Sequence, residues 1–75
     1  MINEKVISII AKQLNISTDN ITLETTVKSL GADSLDMADI VFELERVFDI
    51  TVKDTDNIAT IVTVADAIQY VLDKQ

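Results

Sequence analysis

The sequence has no cysteine and no histidine, a single glycine, and six basic residues against thirteen acidic ones. Without cysteine there is neither a disulfide nor a thiolate metal site, which fits a reducing compartment, expected here to be the cytoplasm. Without histidine, Ser–His and Cys–His nucleophilic catalysis are excluded within the chain, and any thiol chemistry has to be imported by a cofactor. One glycine cannot build a glycine-rich phosphate loop. No apolar run reaches the length of a membrane span, and there is no secretory signal pattern or cleavage site. The net charge of −7 argues against nucleic acid and anionic membrane surfaces as partners.

What is present is a chain of 75 residues, nearly half of them apolar. That is enough to fold despite the charge, as one domain over residues 1–75 that is expected to act as a monomer. It leaves no room for an enzyme cleft and its supporting shell, so the chain is expected not to be an enzyme.

Residues 33–48 read as one amphipathic helix. Met37, Ile40, Val41, Leu44, Val47 and Phe48 recur at helical spacing and make a core-facing stripe. Asp33 suits the N-cap, and Asp36 three residues on can return the hydrogen bond in a box-like arrangement. The opposite face carries Leu35, Ala38 and Phe42 among Asp36, Asp39 and Glu43. Either Leu35 and Phe42 meet a neighbouring helix or loop, or they form a small apolar patch ringed by carboxylates that suits basic partners.

A first helix is predicted from about Asn3, as cap, to Leu14, with Val6, Ile9, Ile10 and Leu14 inward, Ile2 and Ile7 beside them, and Asn15 ending it. Residues 16–32 have the composition of a long loop, for which Ile16, Ile21, Leu23, Val27 and Leu30 are the expected anchors. Within it Thr18 to Ile21 can form a single helical turn, and a strand over Asn20 to Val27 competes but lacks an evident partner. Asp54 to Ala59 reads as a short helix capped by Asp54. The last helix starts with Thr63 as cap and Asp66 as its box partner, and Val64, Ala65, Ile68, Val71 and Leu72 face inward. The expected fold class is all-α: a small, antiparallel-tending bundle of three longer helices and one short one, with a long first crossover.

Ser34 stands in the first turn of the helix over residues 33–48. Serine is commonplace near a cap, so a purely structural reading is open. Gly31, three residues earlier, permits a positive φ or the close approach of a group. A helix N-terminus favours phosphate through its free N–H groups and dipole, so Ser34 can also be read as the carrier of a phosphodiester. Metal readings fail. An EF-hand loop starting at Asp33 wants glycine and glutamate where Ala38 and Leu44 stand, and a similar start at Asp54 and Asp56 ends at Ile58. Paired acids such as Asp36 and Asp39 on a solvent-facing helix lack the desolvated pocket that acid–base catalysis needs.

The run Leu30-Gly31-Ala32-Asp33-Ser34-Leu35-Asp36 resembles the attachment motif of the acyl carrier proteins of fatty acid synthesis, and the similarity extends over nearly the whole chain. The resemblance implies that Ser34 is esterified with 4′-phosphopantetheine from coenzyme A, with Gly31 and Asp33 beside it, and that the terminal thiol holds acyl chains as thioesters. It implies as partners a phosphopantetheinyl transferase and fatty acid synthesis enzymes with basic docking patches. These would be met by Asp36, Asp39 and Glu45 with Leu35 and Phe42. Val41, Phe42, Ile58, Ile61 and Ile68 would wall a pocket for the acyl chain.

The sequence departs from the family pattern at Val27, Ser29, Arg46 and Lys53, where many members have phenylalanine, an acid, an acid and proline. Carriers of aminoacyl or D-alanyl groups, or of polyketide intermediates, share the modified serine and remain alternatives. An acidic protein-interaction bundle without a prosthetic group is the alternative of a different class.

Overall fold

The first helix, α1 (Ile2–Leu14), buries Val6, Ile9, Ile10 and Ala11. It begins one residue before the predicted cap: Met1 holds the N-cap position and no side chain caps it, so Asn3 lies inside the helix rather than at its mouth. Asn15 ends it in the left-handed region, at φ 56°. The N–H of Ile16 then reaches back to the carbonyl of Ala11 at 2.9 Å, the hydrogen bond of a Schellman closure.

The computed structural model describes residues 1–53 and 58–75. Among these, the second helix, α2, runs Ser34–Phe48 and the third, α3, Val64–Lys74; single 3-10 turns form at Thr18–Asn20, Lys28–Leu30 and Ile58–Thr60. There is no strand among the described residues, only one antiparallel bridge between Thr26 and Thr63 where a strand over Asn20 to Val27 competed. The expected short helix over Asp54 to Ala59 lies largely outside the described residues, and its end falls in the 3-10 turn at Ile58–Thr60.

α1 packs against both α2 and α3. Ile10, Ile40, Leu44, Val6, Val41, Val64 and Val71 fill the centre as fully buried side chains. On α2 the predicted stripe holds for Ile40, Val41 and Leu44, with Met37 and Phe48 half-buried at its margins. Val47 departs from it: at the edge of the stripe it stays exposed and lines a surface groove with Met1, Lys5 and Ile9. On α3 the inward set is Val64, Ala67, Ile68 and Val71. Ala65 and Leu72 are exposed instead, because both project about 90–110° to one side of the centre of the buried arc that Val64, Ala67, Ile68 and Val71 define.

Of the expected loop anchors, Ile21 and Val27 are buried and Leu30 is half-buried, whereas Ile16 and Leu23 are exposed. Backbone hydrogen bonds do much of the anchoring. The N–H of Val64 donates to the Thr25 carbonyl and that of Ala65 to the Leu23 carbonyl, both at 2.9 Å, while the N–H of Val27 donates to Val62 at 3.0 Å. The crossover is thus tied to the start of α3, and Leu23 contributes its carbonyl rather than its side chain.

Candidate functional site

Both α2 and α3 open on a reciprocal capping box. At α2 the Asp36 N–H donates to Asp33 Oδ1 at 2.9 Å, and the Asp33 N–H donates to Asp36 Oδ2 at 3.1 Å. At α3 the Asp66 N–H donates to Thr63 Oγ1 at 3.1 Å, and Asp66 Oδ2 accepts the N–H groups of Thr63 and Val62 at 3.0 Å each. Those donors, Thr63 first and Val62 second, hold the Asp66 carboxyl below the usual carboxylate range.

The two helix mouths differ in what remains. The first two N–H groups of α3, from Val64 and Ala65, are taken by the loop carbonyls of Thr25 and Leu23. The corresponding groups of α2, from Ser34 and Leu35, find no acceptor among the described residues. Both residues are exposed, Leu35 at 74%. The mouth of α2 therefore offers two unsatisfied donors and the positive end of a helix dipole beside a free serine hydroxyl. Because Asp33 provides the cap, Ser34 Oγ has no role in starting the helix.

Gly31 completes the approach. It closes the 3-10 turn Lys28–Leu30 at φ 92°, and a Cβ added there would meet nothing within 4 Å. Glycine is needed here for the backbone conformation, and the space around it is open.

The expected partner residues divide into two groups. Leu35, Asp39 and Phe42 are exposed, Phe42 at 61%. Asp36 and Glu45 are half-buried and already accept internal hydrogen bonds, Asp36 from Asp33 and Glu45 from the Val52 N–H at 2.8 Å. Of the residues expected to wall an acyl pocket, Val41, Ile61 and Ile68 belong to one buried cluster and Ile58 packs against it, while Phe42 lies outside on the surface. The departure at Arg46 has a partner: its Nε and Nη2 donate to Glu43 Oε1 and Oε2 at 2.9 and 2.7 Å. That fork is the main cause of a lowered Glu43 carboxyl. Sequence reasoning missed both this pair and the Glu45–Val52 contact, although the i, i+3 spacing of Glu43 and Arg46 was a visible signal.

The family model described as "Phosphopantetheine attachment site" matches residues 4–71. The chain belongs to the phosphopantetheine attachment-site family. It also superposes on the crystal structure of an acyl carrier protein from Thermotoga maritima with a TM-score of 0.80 and 29% identity, covering 99% of this chain and 91% of that one. As a member of this family it is a carrier and not an enzyme, with acyl chains and enzymes as partners and a covalently attached 4′-phosphopantetheine. The mouth of α2 fits the phosphate of that group: a free hydroxyl, unsatisfied N–H donors and open space over Gly31. When bound, the group supplies the thiol that this cysteine-free chain lacks. Among the described residues no three or more acidic side chains are grouped to hold a metal ion, and no helix is long and apolar enough to cross a membrane.

Proposed function

We propose that the chain, as a single carrier domain over residues 1–75, holds 4′-phosphopantetheine on Ser34 and presents acyl thioesters to the enzymes of fatty acid synthesis. The observation that carries this reading is the pairing of an exposed Ser34 hydroxyl with the two unsatisfied N–H groups of Ser34 and Leu35. In loading, Ser34 Oγ forms a bond to the phosphorus of coenzyme A that bears the pantetheine. The bond from that phosphorus to the nucleotide portion breaks, and the nucleotide leaves. The hydroxyl proton passes to a base of the transferase, because this chain has no histidine and offers no desolvated carboxylate beside Ser34, where Asp33 is exposed and its Oδ1 accepts the Asp36 N–H.

The rest of the surface serves delivery. Leu35, Asp39 and Phe42 offer apolar and acidic contacts to enzymes with basic patches, and Asp36 and Glu45 add charge while holding the helix and the following loop. The buried cluster of Val41, Ile61 and Ile68, with Ile58 against it, gives a growing acyl chain an apolar destination, whereas Phe42 lies on the exposed face of α2 and does not wall it. Carrier action in the cytoplasm accords with the absence of cysteine.

The test is to isolate the protein from its own cells and identify what is thioester-linked to it. Saturated and 3-oxo or 3-hydroxy acyl chains of graded length are expected. Amino acids or methyl-branched polyketide intermediates would overturn the assignment to fatty acid synthesis.

A further inference from the structure

Gly31 and Ala32 close the turn Lys28–Leu30 with two backbone hydrogen bonds. The Gly31 N–H donates to the Lys28 carbonyl at 3.0 Å and the Ala32 N–H to the Val27 carbonyl at 3.2 Å. This is the paired closure of a Schellman motif, with Gly31 in its left-handed position. It folds residues 27–28 back against residues 31–32, immediately before Asp33 caps α2. Val27 is buried and also donates its N–H to the Val62 carbonyl at 3.0 Å, so the turn is anchored to the segment before α3. Lys28 is thus carried on a fixed turn beside the mouth of α2. From Ala32 to Ser34 the chain spans about 7 Å at most, a gap within the joint reach of a lysine side chain on one side and a phosphate ester of serine on the other.

Lys28 is the one basic residue in the sequence between Lys12 and Arg46. It is exposed and makes no ion pair among the described residues. The flanking cations are engaged elsewhere: Arg46 is forked onto Glu43, and Lys12 helps to lower the same carboxyl. Glu43 lies nine residues, or about 13 Å, along α2 from Ser34. A phosphodiester on Ser34 adds a full negative charge beside Asp33 and Asp36, whose capping bonds come from neutral N–H groups and leave both carboxylates charged. The unsatisfied N–H groups of Ser34 and Leu35 offset only part of that crowding.

Resting on the reading of Ser34 as the attachment residue, we propose that Lys28 is the counter-ion of the attached group. Its ammonium pairs with the phosphodiester, offsets the repulsion from Asp33 and Asp36, and restrains the root of the arm. The pair exists only in the loaded protein, so the unloaded fold does not depend on Lys28.

The full chain is loaded with coenzyme A, Mg²⁺ and a phosphopantetheinyl transferase, and the gain of one phosphopantetheine is read by mass. Urea midpoints of the loaded and unloaded forms are then compared at about 20 mM ionic strength, where screening is weak, for the wild type, Lys28→Arg, Lys28→Gln and Lys28→Glu. Taking the difference between the two forms cancels any effect of a substitution on the unloaded fold. Relative to wild type, the loaded-minus-unloaded difference is expected to fall by about 0.3 M urea in Lys28→Gln and about twice as much in Lys28→Glu. Lys28→Arg should keep the wild-type difference, and the spread should collapse in about 0.5 M NaCl. The ³¹P resonance of the arm should move in Lys28→Gln. The same difference in all four loaded chains, or an unmoved ³¹P resonance, would overturn the role of Lys28 while leaving the attachment intact. A chain that gains no mass would overturn the Ser34 reading, and this proposal with it.

Discussion

The Glu45 carboxylate accepts the backbone N–H of Val52 across seven residues, at 2.8 Å. The contact bridges the last turns of α2 and the segment that follows the left-handed Asp49. Asp49 turns the chain back, the Ile50 N–H closes onto the Glu45 carbonyl at 3.2 Å, and Ile50 is buried. One residue thus holds the loop with both its carbonyl and its carboxylate.

Removing the carboxylate leaves a half-buried N–H without an acceptor. Glu45→Ala is expected to lower stability by about 1 kcal/mol, while Glu45→Gln, which keeps an acceptor oxygen, should lose less. Urea unfolding gives the first quantity. Hydrogen exchange gives the local one: the Val52 amide should exchange faster in Glu45→Ala. Unchanged protection would mean that the contact does not hold the loop.

The caps set a dependence on acid. Asp66 is held below the usual carboxylate range by the N–H groups of Thr63 and Val62, and Glu43 by Arg46. A carboxyl depressed in the folded state binds protons more weakly there than in the unfolded chain. Its stabilisation is therefore present above the unfolded value of about 4 and lost as pH falls through the folded one. Asp66→Asn should melt below the wild type at pH 7, and the gap should narrow on going to pH 3. A gap that stays constant would show that the charge on Asp66 contributes nothing.

Docking separates into charged and apolar parts. Asp39→Lys is expected to slow loading by a phosphopantetheinyl transferase about tenfold at low salt, mainly through association, with the defect shrinking as salt rises. Leu35→Ala should weaken loading with little salt dependence, because its contribution is burial of apolar area. Stopped-flow or steady-state loading rates at low and high NaCl distinguish the two. Equal rates for Asp39→Lys and wild type at low salt would remove the acidic end from recognition.

The part of the site legible in the sequence was the part written in local pattern. Apolar spacing of Ile40, Val41 and Leu44 set the inward face of α2, and Asp33 with Asp36, and Thr63 with Asp66, are capping boxes at the predicted positions. Gly31 adopts the positive φ that a lone glycine there suggested. What was not legible depends on contacts between distant segments. Leu23 looked like a side-chain anchor, but its carbonyl does the work by meeting Ala65. Glu45 looked like a free surface acid, and only the return of the chain to Val52 commits it. On α3, Ala65 and Ala67 are indistinguishable by hydrophobicity and flank the same stripe of Val64, Ile68 and Val71 from opposite sides, and Ala67 is the one buried.

The most direct measurement on Ser34 is the position of the added mass. The wild-type chain is incubated with coenzyme A, Mg²⁺ and a phosphopantetheinyl transferase, then digested and sequenced by tandem mass spectrometry beside Ser34→Ala. The wild type should gain one phosphopantetheine, on the peptide and residue of Ser34. Ser34→Ala should gain none, while its unfolding midpoint stays within about 0.5 kcal/mol of wild type because Asp33 provides the cap. Loss of fold in Ser34→Ala would show that Ser34 also supports the start of α2, whereas modification at another of the chain's hydroxyls, or retention of the added mass by Ser34→Ala, would contradict the assignment of Ser34 as the attachment residue.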